Sequence, residues 1–133
     1  KNKEMAKLKT SFTMSSSTTS SSDALSTNIS VELGVAAPLI QQGSLTTSAS
    51  GDVLINGAVA PYDTVDTYVY LRADSTNGTN KIALFDDGGS GAAKFGRLEA
   101  GDWMWVPIHA AFGLKIEASA GTPKLEYAIF QRA

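Results

Sequence analysis

Residues 67–85 read TYVYLRADSTNGTNKIALF, and this stretch decides the fold class. Over 67–73, Val69 and Leu71 fall on one side of an extended chain and Tyr68 and Tyr70 on the other, since successive strand side chains point to opposite faces. Residues 81–85 return in the same apolar texture. The intervening residues 75–80 contain Asn77-Gly78, a pair that supplies the positive φ of tight turns. The stretch therefore predicts two strands, with residues 75–80 as a hairpin connection between them.

The same alternation continues outward in both directions. Downstream, residues 95–98, 103–108 and 114–118 read as short strands, and 124–132 closes the series with Leu125, Tyr127 and Ile129 on one face. They are separated by the turn-forming stretches 86–91 (DDGGSG), 99–102 (EAGD) and 120–123 (AGTP). Upstream, residues 52–60 (DVLINGAVA) read as a strand interrupted by a turn or bulge at Asn56-Gly57, and 45–50 as a short edge strand. Nearer the start, Leu8, Thr10, Phe12 and Met14 alternate with Lys7, Lys9, Ser11 and Thr13. Leu25, Thr27, Ile29, Val31 and Leu33 form the longest clean alternation in the chain. A run of Ser and Thr over 15–22 joins these two strands. The only helical candidate, residues 2–8, lacks an N-cap and length. Turn signals roughly every 8–12 residues suit an all-β, single-domain β-sandwich of jelly-roll type. The expected division is an extended Ser/Thr-rich N-terminal arm over 1–22 and the sandwich over 23–133, with the most regular core in 61–133.

Composition narrows the function. With 133 residues, one core is expected rather than two. Charged residues make up only 18%, below the usual ~25%, so less of the surface is solvated by charge and some is expected to be covered by protein. Between Thr10 and Gly51 the only charges are Asp23 and Glu32. A formal net charge of −2 gives no basic field to gather phosphates, which argues against nucleic acid as a partner. The chain has no cysteine, hence no disulfide framework and no thiolate chemistry. No apolar run approaches the ~20 residues that span a bilayer, and the lysines among the first nine residues precede no apolar stretch of the kind an export signal needs.

Each residue that might carry chemistry has a plainer role. His109, the only histidine, follows Pro107-Ile108 and has no nucleophile or orienting carboxylate near it in sequence, so it is expected in a turn rather than as a general base. Asp86 and Asp87 are adjacent, whereas a calcium loop spaces its acidic residues at alternating positions; a solvated turn is expected there and no metal site. The glycines that follow lead into no helix and no Gly-Lys-Ser/Thr, so they make no phosphate loop, and no Gly-x-Ser-x-Gly elbow occurs. No cofactor is implied, and the protein is expected not to be an enzyme. Trp103 and Trp105 lie two apart on one strand and share a face, with Met104 and Val106 on the other. Paired aromatics fill cores, anchor protein interfaces or stack on sugar rings, and the first two uses are favoured here. The candidate interface residues are Leu8, Phe12 and Met14 in the arm, with Trp103 and Trp105.

The order of parts in the second half carries a resemblance. Tyr68-Val69-Tyr70-Leu71 is followed by Ile82-Ala83-Leu84-Phe85-Asp86, then by Leu98-Glu99-Ala100-Gly101-Asp102 and an aromatic strand ending in Pro107. Gly113-Leu114-Lys115-Ile116-Glu117-Ala118 and Leu125-Glu126-Tyr127-Ala128-Ile129-Phe130 complete it. This series, covering about half of the chain, resembles a recurrent type of small tailed-bacteriophage virion structural protein. The resemblance implies a capsid cement (decoration) protein on the capsid exterior. Its partner would be the major capsid protein, and it would act as a homo-oligomer such as a trimer. It transfers no binding residues. A tail or neck component, or a carbohydrate-binding module on the virion surface that uses Trp103 and Trp105, are the alternatives.

Overall fold

A computed structural model of the protein describes residues 6–15, 26–36, 41–86 and 93–133. These residues form strands β1 (Ala6–Ser15), β2 (Ser26–Val35), β3 (Gln41–Thr46), β4 (Asp52–Ile55) and β5 (Thr67–Ala73). They continue as β6 (Ile82–Asp86), β7 (Lys94–Leu98), β8 (Trp103–Ile108), β9 (Leu114–Ala118) and β10 (Lys124–Gln131). The fold is all-β and every strand pair is antiparallel. Two four-stranded sheets, ordered β3-β10-β5-β8 and β4-β9-β6-β7, enclose one core, while β1 and β2 make a separate two-stranded ribbon.

The core follows from the alternation. Val69, Leu71, Leu125 and Ile129 of the first sheet meet Ile82, Leu84, Leu114 and Ile116 of the second, each 2% exposed or less. Leu45, Met104, Val106 and Tyr127 pack around this centre. Among the described residues every buried side-chain nitrogen and oxygen has a partner, as native interiors require. Thr47, fully buried, donates from Oγ1 to the Pro123 carbonyl at 2.8 Å.

The hairpin expected at 75–80 is not formed. β5 lies between β10 and β8, whereas β6 lies between β9 and β7 in the other sheet, so the connection arches across the sandwich. Side-by-side pairing would set Val69 and Leu71 next to Ile82 and Leu84 on one sheet. Stacking the strands face to face instead presses these side chains together and shuts both sets from water. Residues 74–81 are long enough to cover the ~10 Å between packed sheets. The arch contains a 3₁₀ turn, Ser75–Asn77, capped by Asp74, whose Oδ1 accepts from the Thr76 N–H at 2.8 Å. Asn77 then clasps the start of β10: its Nδ2 donates to the Lys124 carbonyl at 2.9 Å and its Oδ1 accepts from the Lys124 N–H at 2.8 Å. Gly78 takes the positive φ that the pair suggested, but in service of an arch rather than a two-residue turn.

Within the sandwich only β6 and β7 are consecutive strands that pair; each other connection from β3 to β10 crosses between sheets. The glycine-rich stretch expected between β6 and β7 lies beyond Asp86 outside the described residues, as do Ser/Thr residues 16–22 and the boundary expected at residue 22. Residues 6–8 of the helical candidate belong to β1. β2, which the sequence groups with the sandwich, pairs with β1 in its ladder and reaches the body at one bridge, Val35 to Arg132. The edge strand expected over 45–50 sits earlier, at Gln41–Thr46, where Gln41 Nε2 donates to the Tyr127 hydroxyl and its Oε1 accepts from the Tyr62 hydroxyl, both at 3.1 Å. The stretch 52–60 ends as a strand at Ile55, after a register shift between Val53 and Ile55. Gly57 follows, and a Cβ there would overlap the Ala111 carbonyl of the turn after β8, so the close approach of these two turns needs glycine.

Candidate functional site

The alternation that buries Val69 and Leu71 turns Tyr68, Tyr70 and Arg72 to the outside of the first sheet. The register then assembles a surface from distant parts of the chain. Tyr70 lies opposite Trp105, and Tyr68 opposite both Pro107 and Phe130. Tyr68 and Trp105 stack with centroids 5.6 Å apart and planes 14° from parallel, and Phe130 is tilted against Trp105 at 6.0 Å. The Arg132 guanidinium sits over the Tyr68 ring, 5.4 Å from its centroid. One strand row further on, Trp103 faces Arg72, which in turn faces Glu126.

The ribbon leans over this face. Its ten register pairs run from Ala6–Val35 to Ser15–Ser26 without a bulge. Period-2 geometry puts Leu8, Thr10, Phe12 and Met14 on one side with Leu33, Val31, Ile29 and Thr27. Lys7, Lys9, Ser11 and Thr13 lie on the other side with Gly34, Glu32, Ser30 and Asn28. The ribbon is thus amphipathic. Its base is tied to the end of β10 by hydrogen bonds from Ala36 N to Gln131 O (2.9 Å) and from Ala133 N to Gly34 O (3.1 Å). The exposed Lys7–Glu32 pair at 3.3 Å adds little. Towards the tip, Phe12 meets Trp103 edge-on with centroids 5.5 Å apart.

Between ribbon and sheet lies a cleft of about 830 Å³ with Ile29, Val31 and Phe12 on one wall and Tyr68, Tyr70, Trp103 and Trp105 on the other. Arg132 is its one charged lining residue among those described. The covering is incomplete: Trp103 and Ile29 are each 51% exposed, Val31 43% and Met14 42%. The outer surface of a sheet is where polar residues are expected when it faces water, so this partly covered apolar stretch departs from the ordinary pattern.

Of the candidate interface residues, Phe12, Trp103 and Trp105 come together at this cleft. Leu8 and Met14 share Phe12's side of the ribbon without lining the cleft. Tyr68, Tyr70, Phe130 and Arg132 were not among the candidates. Their outward facing is readable from alternation, but their meeting with the tryptophans depends on β5 pairing with β8 and β10, which local pattern does not reveal. His109 lies exposed in the connection after β8, its Nδ1 2.8 Å from the Ala110 carbonyl oxygen. Asp66, from before β5, accepts the Ala110 N–H at 2.8 Å in the same connection. Asp86 closes β6 against Ala93, bonding it through both its N–H and its carboxylate. Among the described residues no three His, Cys, Asp or Glu side chains are grouped to hold a metal, and no helix is long and apolar enough to cross a membrane.

Two groups have shifted acidity. Burial pushes the Tyr62 phenol above its ordinary range, with Tyr127 adding to the effect. The Thr76 hydroxyl and N–H hold the Asp74 carboxyl below the usual carboxylate range. Both groups serve turns and strand ends, away from the cleft. Compared with protein-family models, curated proteins and solved structures, the chain finds no match in any of the three.

Proposed function

We propose that this chain is a structural, non-catalytic protein of a tailed-phage virion, a capsid cement protein that binds the major capsid protein on the capsid exterior as a homo-oligomer. One observation carries the reading: the apolar side of the ribbon meets the aromatic outer face of the sheet only in part, leaving Ile29, Val31, Met14 and Trp103 about half exposed in the single chain. Anchors of this kind, aromatic and grouped, are what protein interfaces bury. The scaffold supports it as well. Strand orders β3-β10-β5-β8 and β4-β9-β6-β7 with crossing connections suit a double-sheet jelly roll, an architecture that serves shells and lectins alike. The ribbon then plays the part of the arm.

The test is capsid binding. Purified capsids are mixed with the wild-type protein, with Phe12→Ala/Trp103→Ala and with a chain lacking residues 1–33, and bound protein and capsid thermal stability are measured. Both altered proteins should lose binding; undiminished binding by either one overturns the reading. Locating the protein in a virion reconstruction separates the capsid from the tail or neck.

One further observation favours a second reading, a carbohydrate-binding module. The row Trp103–Arg72–Glu126 sets an exposed indole beside a guanidinium and a carboxylate on adjacent strands, a ring face with polar groups next to it. Glycan-array binding that disappears with both Trp103→Ala and Arg72→Ala would establish it. An array without signal removes it.

A further inference from the structure

Among the described residues, nothing pairs with the outer edge of β1. Its ladder with β2 is one-sided, and among the described residues no loop hydrogen bond reaches the strand. The edge is ten residues long, free of proline and bulge, and uncharged from Thr10 to Ser15. Proteins ordinarily blunt such edges with charge, proline or a bulge, because a row of unpaired N–H and C=O groups recruits another strand. Here the only blunting charges, Lys7 and Lys9, sit at one end.

We propose that this edge pairs with the same edge of a second copy, β1 antiparallel to β1′ about a two-fold axis at Ser11, joining the two ribbons into one four-stranded sheet. This deepens the homo-oligomer part of the proposed function, and it commits to a dimer.

The lysines choose the direction. Parallel pairing in register would set Lys7 beside Lys7′ and Lys9 beside Lys9′, and like charges directly opposite are destabilising. Antiparallel pairing sets them against neutral hydroxyls instead. The apolar side restricts the register further: the paired residue numbers must sum to an even value, or apolar side chains would meet the polar side. Two registers then use nine pairs of the strand, centred on Thr10 or on Ser11. Centring on Thr10 leaves Lys9 and Lys9′ diagonal neighbours, about 7–8 Å apart. Centring on Ser11 separates them by four residues, about 13 Å, beyond the ~8 Å screening length of physiological salt. It also pairs Met14, 42% exposed in the single chain, with Leu8′, and Phe12 with Thr10′, while Lys9 meets Thr13′, Lys7 meets Ser15′ and Ser11 meets itself. Two-fold self-complementary contacts of this kind are the commonest form of homo-oligomer.

The experiment uses the purified full chain, with no capsid present, so its outcome is independent of virion placement. Sedimentation equilibrium over 1–100 µM (about the range for modest interfaces) should give a dimer. Ser11→Glu should weaken the dimer at least tenfold, while Ser30→Glu, the neighbour of Ser11 on β2 and equally on the polar side, should leave it unchanged. Because the chain has no cysteine, Ser11→Cys carries a single thiol and should form a covalent dimer in a glutathione buffer far faster than Ser30→Cys. A wild-type chain that stays monomeric or forms trimers overturns the inference. So does equal cross-linking by the two cysteine variants. If the dimer forms but capsids do not bind, the pairing stands and the cement reading falls.

Discussion

The two sides of the sheet β3-β10-β5-β8 are built from the same strands and behave as opposites. Inward, Val69, Leu71, Leu125 and Ile129 are sealed against the second sheet with nothing exposed. Outward, Tyr68, Trp105, Trp103 and Phe130 carry at least as much apolar surface, yet the ribbon above them leaves a cleft and half-exposed side chains. The inner side holds the fold together. The outer side is covered only in part, with Trp103 51% exposed beneath the ribbon, and substitutions should separate the two roles.

The largest effect is expected from the inner side. Ile129→Ala should destabilise by about 2–5 kcal/mol in denaturant unfolding, since a fully buried side chain leaves a cavity between the sheets. Ile29→Ala on the ribbon, half exposed, should cost no more than about 0.5 kcal/mol, and a cost as large as that of Ile129→Ala would erase the contrast. Next comes the close approach behind β4: Gly57→Ala should cost about 1–3 kcal/mol, because backbone rather than a movable side chain stands in the way. Smaller again is the ribbon's own attachment. A double-mutant cycle on Phe12 and Trp103 should return a coupling of about 0.5–1.5 kcal/mol, and a value of zero would mean that the ribbon is held at its base alone. The smallest effect concerns Asp74 at the cap of its turn. Its folded-state pKa is lowered, so its contribution is complete above the unfolded-state value and fades as pH falls through the folded-state one. The destabilisation caused by Asp74→Ala should therefore shrink on acidification, and a pH-independent difference in unfolding midpoint would remove the role given to the Thr76 hydrogen bonds.

The contrast also explains what was legible in the sequence. Alternation is local, so the strands at 103–108, 114–118 and 67–73 and the inward residues of each could be read from neighbours two positions apart. Trp103 and Trp105 sharing a face was readable for the same reason. Pairing is not local. Val69 and Ile82 look alike whether they sit side by side in one sheet or face to face across two, and Asn77-Gly78 serves either arrangement. The hairpin expectation failed there. The cleft was out of reach on the same ground, since it draws Phe12, Ile29, Tyr68, Trp105 and Arg132 from ladders that local pattern does not specify. Only its two most conspicuous members and the ribbon's apolar side announced themselves.

The position of β10 has a consequence in time. It follows the other described strands in sequence and yet lies in the interior of its sheet, with β3 on one flank and β5 on the other. Until it leaves the ribosome, β3 has no neighbour and β5 offers an open edge beside its aromatic face. The ribbon needs no such delay, since β1 and β2 are close in sequence and meet only each other along their ladder. The ribbon's local pairing can thus form before the sandwich closes, whose pairings span most of the chain and close slowly. Any change that loosens the Asn77 clasp on Lys124 should appear first as a longer wait for that closing strand.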